Sequence, residues 1–139
     1  MTAFSNLPLQ AMLPLGAYDL AELRRAIERS GQRLLEADCA TCHDVRTVCA
    51  SIEAGFALRK PFGTDLKALL ACLVDLSPGD ADPPGFVVLL HQLPEGPGYS
   101  RQDREALLDV FRDAGDHFFD TDVAYRVFYS VNRGSEISA

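Results

Sequence analysis

Apolar residues along the chain recur at helical spacing, then in short continuous runs, and that succession predicts the elements. Leu20, Leu23 and Ile27 line one face of a first helix over about Leu20–Arg29. Asp19 caps it with Glu22 three residues on, and Gly31 stops it. No element is predicted before it. Arg33–Ala37 follows as a short strand. Thr41 with Asp44 forms the next capping pair, and Val45, Val48, Cys49 and Ile52 keep helical spacing up to Gly55. After Pro61-Phe62-Gly63, Asp65 caps a third helix whose apolar face is Leu66, Leu69, Leu70 and Leu73. Ser77–Gly85 is a loop by composition. Phe86–Leu90 is apolar throughout, as expected of a strand covered on both faces. Ser100 and Asp103 open a long helix with a core stripe of Leu107, Val110, Phe111, Ala114 and Phe118. Ala124–Val131, rich in Tyr, Val and Phe, is the last strand.

Strand, helices, strand, helix, strand implies parallel strands joined by right-handed helical crossovers. The expected fold class is α/β: a small three-stranded parallel sheet flanked by helices, with an extra N-terminal helix.

With 139 residues the chain has room for one core. Hydrophobic residues make up 47% and charged residues 24%, a balance that argues against global disorder. No apolar run approaches the roughly 18 residues that cross a bilayer. Met1–Gly16 has no basic start, and Pro8 and Pro14 interrupt its apolar stretch, so it makes a poor secretory signal. The expected location is the cytoplasm, with no membrane partner. The four cysteines are then expected as free thiols.

The net charge is −7, with no basic stripe to neutralise phosphates, which argues against direct nucleic-acid binding. The excess is localised. Residues 65–82 carry Asp65, Asp75, Asp80 and Asp82 against Lys67. Residues 101–122 carry Asp103, Glu105, Asp109, Asp113, Asp116, Asp120 and Asp122 against three arginines. If the two stretches meet, they form one negative surface suited to a basic partner. The plainer alternative is two solvated faces kept acidic for solubility.

The most conspicuous short motif is Cys39-Ala-Thr-Cys42-His43, since C-x-x-C-H is the attachment pattern of c-type haem. Haem is disfavoured because no export signal is apparent in the sequence and both methionines precede the motif, leaving only His91 or His117 as a second axial ligand. A thiol redox or sensor role for Cys39 and Cys42 fits their place between a strand and a helix start, but the Gly-Pro flavour of thioredoxin-like motifs is missing. Zinc needs two more ligands, and Cys49, Cys72 and His91 form no second compact pair. His43, His91 and His117 are scattered, with no nucleophile elbow, phosphate loop or paired-carboxylate motif. The expectation is no enzyme, no cofactor and no metal, with thiols that pack.

Pro61-Phe62-Gly63-x-x-Leu66-x-Ala68-Leu69-x-x-Cys72-Leu73 resembles the signature of barstar-like proteins, bacterial ribonuclease inhibitors. The resemblance continues through Gly85–Leu90 and through Leu107–Ala114, and spans about Arg33 to Val131. It implies a barstar-like domain over residues 33–131, an N-terminal extension over 1–32 and a tail over 132–139. It also implies a protein partner, a basic nuclease, blocked by acidic groups on the helix after the Phe-Gly turn. By position, the family's two helix aspartates fall on Lys67 and Ala71, its exposed aromatic on Leu70 and its tyrosine before the turn on Pro61. Asp113 stands for a late-helix glutamate. The partner-binding residues implied are Pro61, Asp65, Lys67, Leu70, Ala71, Asp109 and Asp113. With the anchoring acids replaced, the target is expected to differ from a barnase-type enzyme. A structural homologue without ribonuclease binding is the remaining alternative.

Overall fold

The computed structural model describes residues 4, 7–82 and 84–132. Most of the expected tail, and Pro83 of the expected Ser77–Gly85 loop, lie outside the described residues. In chain order the elements are β1 (Gln10–Pro14), a 3-10 turn at Leu15–Ala17, α1 (Leu20–Ser30), β2 (Arg33–Asp38), α2 (Val45–Gly55), α3 (Leu66–Val74), β3 (Gly85–Leu93), α4 (Arg101–Phe119) and β4 (Ala124–Val131).

The sheet has four strands, not the expected three, in the order β1-β4-β3-β2, and every pairing is parallel. The additional strand is β1, whose Gln10 to Pro14 pair with Tyr125 to Tyr129 of β4. Its five residues, QAMLP, neither alternate cleanly nor run apolar, because an edge strand has one neighbour and half-buried faces. Side chains fasten it instead. Gln10 Nε2 donates to the Arg112 carbonyl (3.1 Å) and to Asp116 Oδ1 (2.7 Å) on α4. Arg126 of β4 donates through Nε to the Pro8 carbonyl (3.0 Å) and through Nη2 to the Leu7 carbonyl (3.3 Å).

Strand order decides which face each helix covers. The steps from β2 to β3 and from β3 to β4 move the same way across the sheet, so right-handed crossovers put α2, α3 and α4 on one face. The step from β1 to β2 runs back across the whole sheet and puts α1 on the other. Leu35, Phe86, Val88, Leu90, Tyr125 and Val127 accordingly join the larger core under α2, α3 and α4. Val87, Leu89 and Phe128 meet Leu23 and Ile27 of α1 in a smaller one. Side chains alternate between these cores along β3, which is why Phe86–Leu90 is apolar without a break. No helix among the described residues is long and apolar enough to cross a membrane.

The helix starts follow the expected chemistry at Asp19, Asp65 and Ser100, each of which accepts a first-turn N–H. At α2 the capping pair is Asp44 with Thr47, not Thr41 with Asp44. Asp44 Oδ1 accepts the Thr47 N–H (2.8 Å), and Thr47 Oγ1 accepts the Asp44 N–H (3.1 Å). Thr41 precedes the cap by three residues and is too early to reach the first turn. The far end of α2 also differs from expectation. Gly55 is still helical, and the left-handed residue is Ala57 (φ 53°). Leu58 N–H bonds the Glu53 carbonyl and Ala57 N–H the Ala54 carbonyl, the paired pattern of a Schellman ending. Gly55 is glycine for a different reason: a Cβ there would lie 2.2 Å from the Glu36 carbonyl oxygen of β2.

Candidate partner-binding face

The turn that leads into α3 is built from the outside inwards. Phe62 is buried in the larger core, and Gly63 takes a left-handed φ of 61° that lets the chain reverse beside it. Asp65 N–H returns to the Phe62 carbonyl (3.0 Å). The Glu53 carboxylate of α2 accepts the N–H groups of both Phe62 and Gly63 through Oε2, each at 3.1 Å. Asp65 Oδ1 then accepts from Lys67 and Ala68 (3.0 and 3.3 Å) and starts the helix. Asp65 is exposed, but its carboxylate serves as a cap.

Along α3, Leu69 and Leu73 are fully buried, and Leu66 and Leu70 are half-buried against the same core. Lys67, Ala71 and Asp75, four residues apart, form the exposed outer line. Pro61 is exposed just before the turn. Leu70 therefore stands apart from Lys67 and Ala71, with much of its side chain committed to packing.

α4 packs directly against α3, so the two acidic stretches of the sequence are neighbours in space. Asp109 and Asp113 are exposed on its outer side. Their surroundings differ. Asp109 holds Arg112 one turn on, and Asp116 is drawn to Gln10 on the β1 side. Among the described residues, Asp113 makes no such tie.

The Cys39–His43 segment lies where β2 ends and α2 begins. Cys39 is fully buried, and burial first, then the neighbouring Cys42, pushes its thiol pKa far up. Cys49 is raised to about 11, mainly by burial. Both shifts disfavour the thiolate that nucleophilic or redox chemistry needs. Cys42 Sγ packs against the Thr47 carbonyl (3.3 Å) and Ser51 Oγ (3.1 Å). All four cysteines are free. His43 points into solvent, with three-quarters of its side chain exposed. His91 sits on β3 against Glu36, and His117 lies on α4 beside the Phe118 ring. Among the described residues no three His, Cys, Asp or Glu side chains converge as a metal requires.

Two features of this face were missed at the sequence level. Glu53 falls on a helix eight or more positions before the turn it braces, and no local pattern marks such a tertiary tie. Arg33, Arg59 and Lys60 lie far apart in sequence or in a loop, yet they line one groove with Ala71.

The fold is thus a four-stranded parallel α/β layer with an apolar-backed helix after a Phe-Gly turn. Residues 32–130 match the family described as Barstar (barnase inhibitor), and the chain belongs to that family. No curated protein and no solved structure matches the chain.

Proposed function

We propose that this chain is a non-catalytic protein-binding module of the ribonuclease-inhibitor type, acting from the cytoplasm on a basic protein, a nuclease, through the α3–α4 face. The observation that supports this reading is the packing of α3 against α4, which brings the two chain segments that carry the acidic excess next to each other. Residues 33–131 form the binding domain, residues 1–32 its extension and residues 132–139 its tail. The site comprises Pro61, Asp65, Lys67, Leu70, Ala71, Asp109 and Asp113, with Lys67 and Ala71 in place of the acids that the family resemblance implies. Direct nucleic-acid binding, membrane binding and cofactors are no part of the reading. The target has diverged from barnase-type enzymes. A cation at Lys67 faces a basic active site with repulsion, and like-charge juxtaposition costs several kcal/mol. Inhibition of a barnase-type ribonuclease should thus be weak or absent in the native chain and measurable in Lys67→Asp/Ala71→Asp. Tight inhibition by the native chain would refute the divergence. A folded double variant with no gain would move the interface away from α3. The burial of Cys39 opposes the thiol-sensor alternative.

A further inference from the structure

A groove of about 600 Å³ runs between the turn after α2 and the outer side of α3. Its apolar lining includes Leu58 and Ala71, and its charged lining is Arg33, Arg59 and Lys60 against the single acid Asp75. In a chain of net charge −7, this is a local reversal of sign. Among the described residues none of the three cations forms an ion pair. Arg33 spends Nη1 on the Ser77 carbonyl (2.9 Å), which ties the segment after α3 to β2 and leaves its other N–H groups.

The cations stand on a braced frame. The Schellman ending at Ala57 and Leu58 fixes the chain leaving α2. Cys72 Sγ approaches the Lys60 carbonyl (3.8 Å), and Glu53 pins the two residues after Pro61. A groove whose walls are already set loses little entropy when filled, and unpaired cations beside small apolar side chains favour a carboxylate carried on an extended segment. A nucleic acid is disfavoured, because its evenly spaced phosphates would run on to Asp75, Asp65 and the acids of α4.

We propose that this groove receives an acidic segment of the protein partner, so that the partner's surface is bipolar: basic opposite α4 and acidic opposite Arg33, Arg59 and Lys60. This rests on the reading of the α3 face as the interface and adds the charge that selects the partner.

The test uses the full-length, isotope-labelled chain and three probes: a capped heptapeptide alternating Asp and Ala, the same peptide with Asn for Asp, and a short oligothymidylate. NMR titration of the Asp peptide should shift amides of residues 57–60 and 68–76, and binding should weaken at least fivefold when ionic strength rises from low to physiological. The Asn peptide should leave those amides unmoved. Arg59→Glu/Lys60→Glu should abolish the shifts, and the milder Arg59→Gln/Lys60→Gln should weaken binding severalfold, with both variants keeping the native thermal midpoint within a few degrees. Equal shifts from the Asp and Asn peptides, stronger occupation by the oligonucleotide, or full binding by the folded charge-reversed variant would each overturn the proposal. Because the probe is not a nuclease, this outcome is independent of the inhibition assay. An acid-binding groove with no nuclease inhibited leaves the groove standing and the ribonuclease reading fallen.

Discussion

Glu53 holds Phe62 across the turn into α3: its Oε2 accepts the Phe62 backbone N–H at 3.1 Å, and the same oxygen accepts the Gly63 N–H. Phe62 is buried, so its amide has few alternatives when the acceptor is removed. Glu53→Ala should cost about 1–3 kcal/mol, the usual penalty of leaving a buried donor unpaired. Glu53→Gln keeps a side-chain oxygen and should lose less than half as much. Urea denaturation midpoints of the two variants check this. Equal losses would show that the carboxylate charge, not the acceptor, braces the turn.

The ending of α2 makes a paired prediction. Gly55→Ala raises helix propensity by about 1 kcal/mol, yet its Cβ meets a backbone carbonyl that cannot swing aside. The clash should win, with a net loss of about 1–3 kcal/mol. Ala57→Gly relieves a left-handed non-glycine residue, a conformation costing roughly 1–2 kcal/mol, against the greater freedom of glycine in the unfolded chain. The net should be a small gain, up to about 1 kcal/mol. Opposite signs at positions two residues apart would be read directly from the thermal midpoints.

Those two positions also explain what the sequence could and could not disclose. Helices α1, α3 and α4 were legible because their apolar stripes and caps are local, and β3 because burial on both faces leaves an unbroken apolar run. Gly55 looked like a helix stop because glycine ordinarily ends helices, but here it serves contact with β2, a strand some twenty residues earlier. β1 escaped for a related reason. Its pairing with β4 and its ties to Arg112 and Asp116 lie over a hundred residues away, and five half-buried edge residues carry no period. In the candidate site the exposed line Lys67, Ala71 and Asp75 follows from α3 alone. Leu70 is different: helical spacing puts it on the apolar stripe, and only the carried-over motif suggested exposure. The cationic groove joins β2, a turn and α3, so no stretch of sequence contains it.

A third prediction concerns pH. Arg24 of α1 donates from both terminal guanidinium nitrogens, Nη1 and Nη2, to the Glu36 carboxylate of β2. That hydrogen bond, against burial and aided by His91, holds the Glu36 pKa below the ordinary glutamate value. A carboxylate with a lowered folded-state pKa stabilises the fold above its unfolded pKa and loses that contribution as pH falls through the folded one. Glu36→Gln should therefore cost on the order of 1 kcal/mol near neutrality, the scale of a half-exposed pair. The difference between native chain and variant should shrink as pH falls below about 4. A difference that stays constant down to strong acid would mean that packing, not charge, is what the substitution disturbs.

The last prediction separates the packed-thiol account from thiol chemistry. Reactivity follows thiolate fraction and access. Cys39 and Cys49 are buried, and both are shifted upwards, Cys49 to about 11. At pH 8 a thiol with that pKa is ionised in roughly one molecule per thousand, against about a quarter for an ordinary cysteine. Cys42 and Cys72 are only half-buried. An aromatic disulfide reagent should therefore modify Cys72 and Cys42 in the native protein within minutes, while Cys39 and Cys49 wait for unfolding. Native protein should titrate two thiols promptly and urea-unfolded protein all four. Mass spectrometry of the partly modified protein identifies which residues reacted. The slow pair should follow the unfolding rate, so a destabilising variant such as Gly55→Ala should expose Cys39 and Cys49 sooner while leaving Cys72 unchanged. Modification of Cys39 as fast as Cys72 in a fully folded sample would restore the redox reading of the Cys39-Ala-Thr-Cys42 motif.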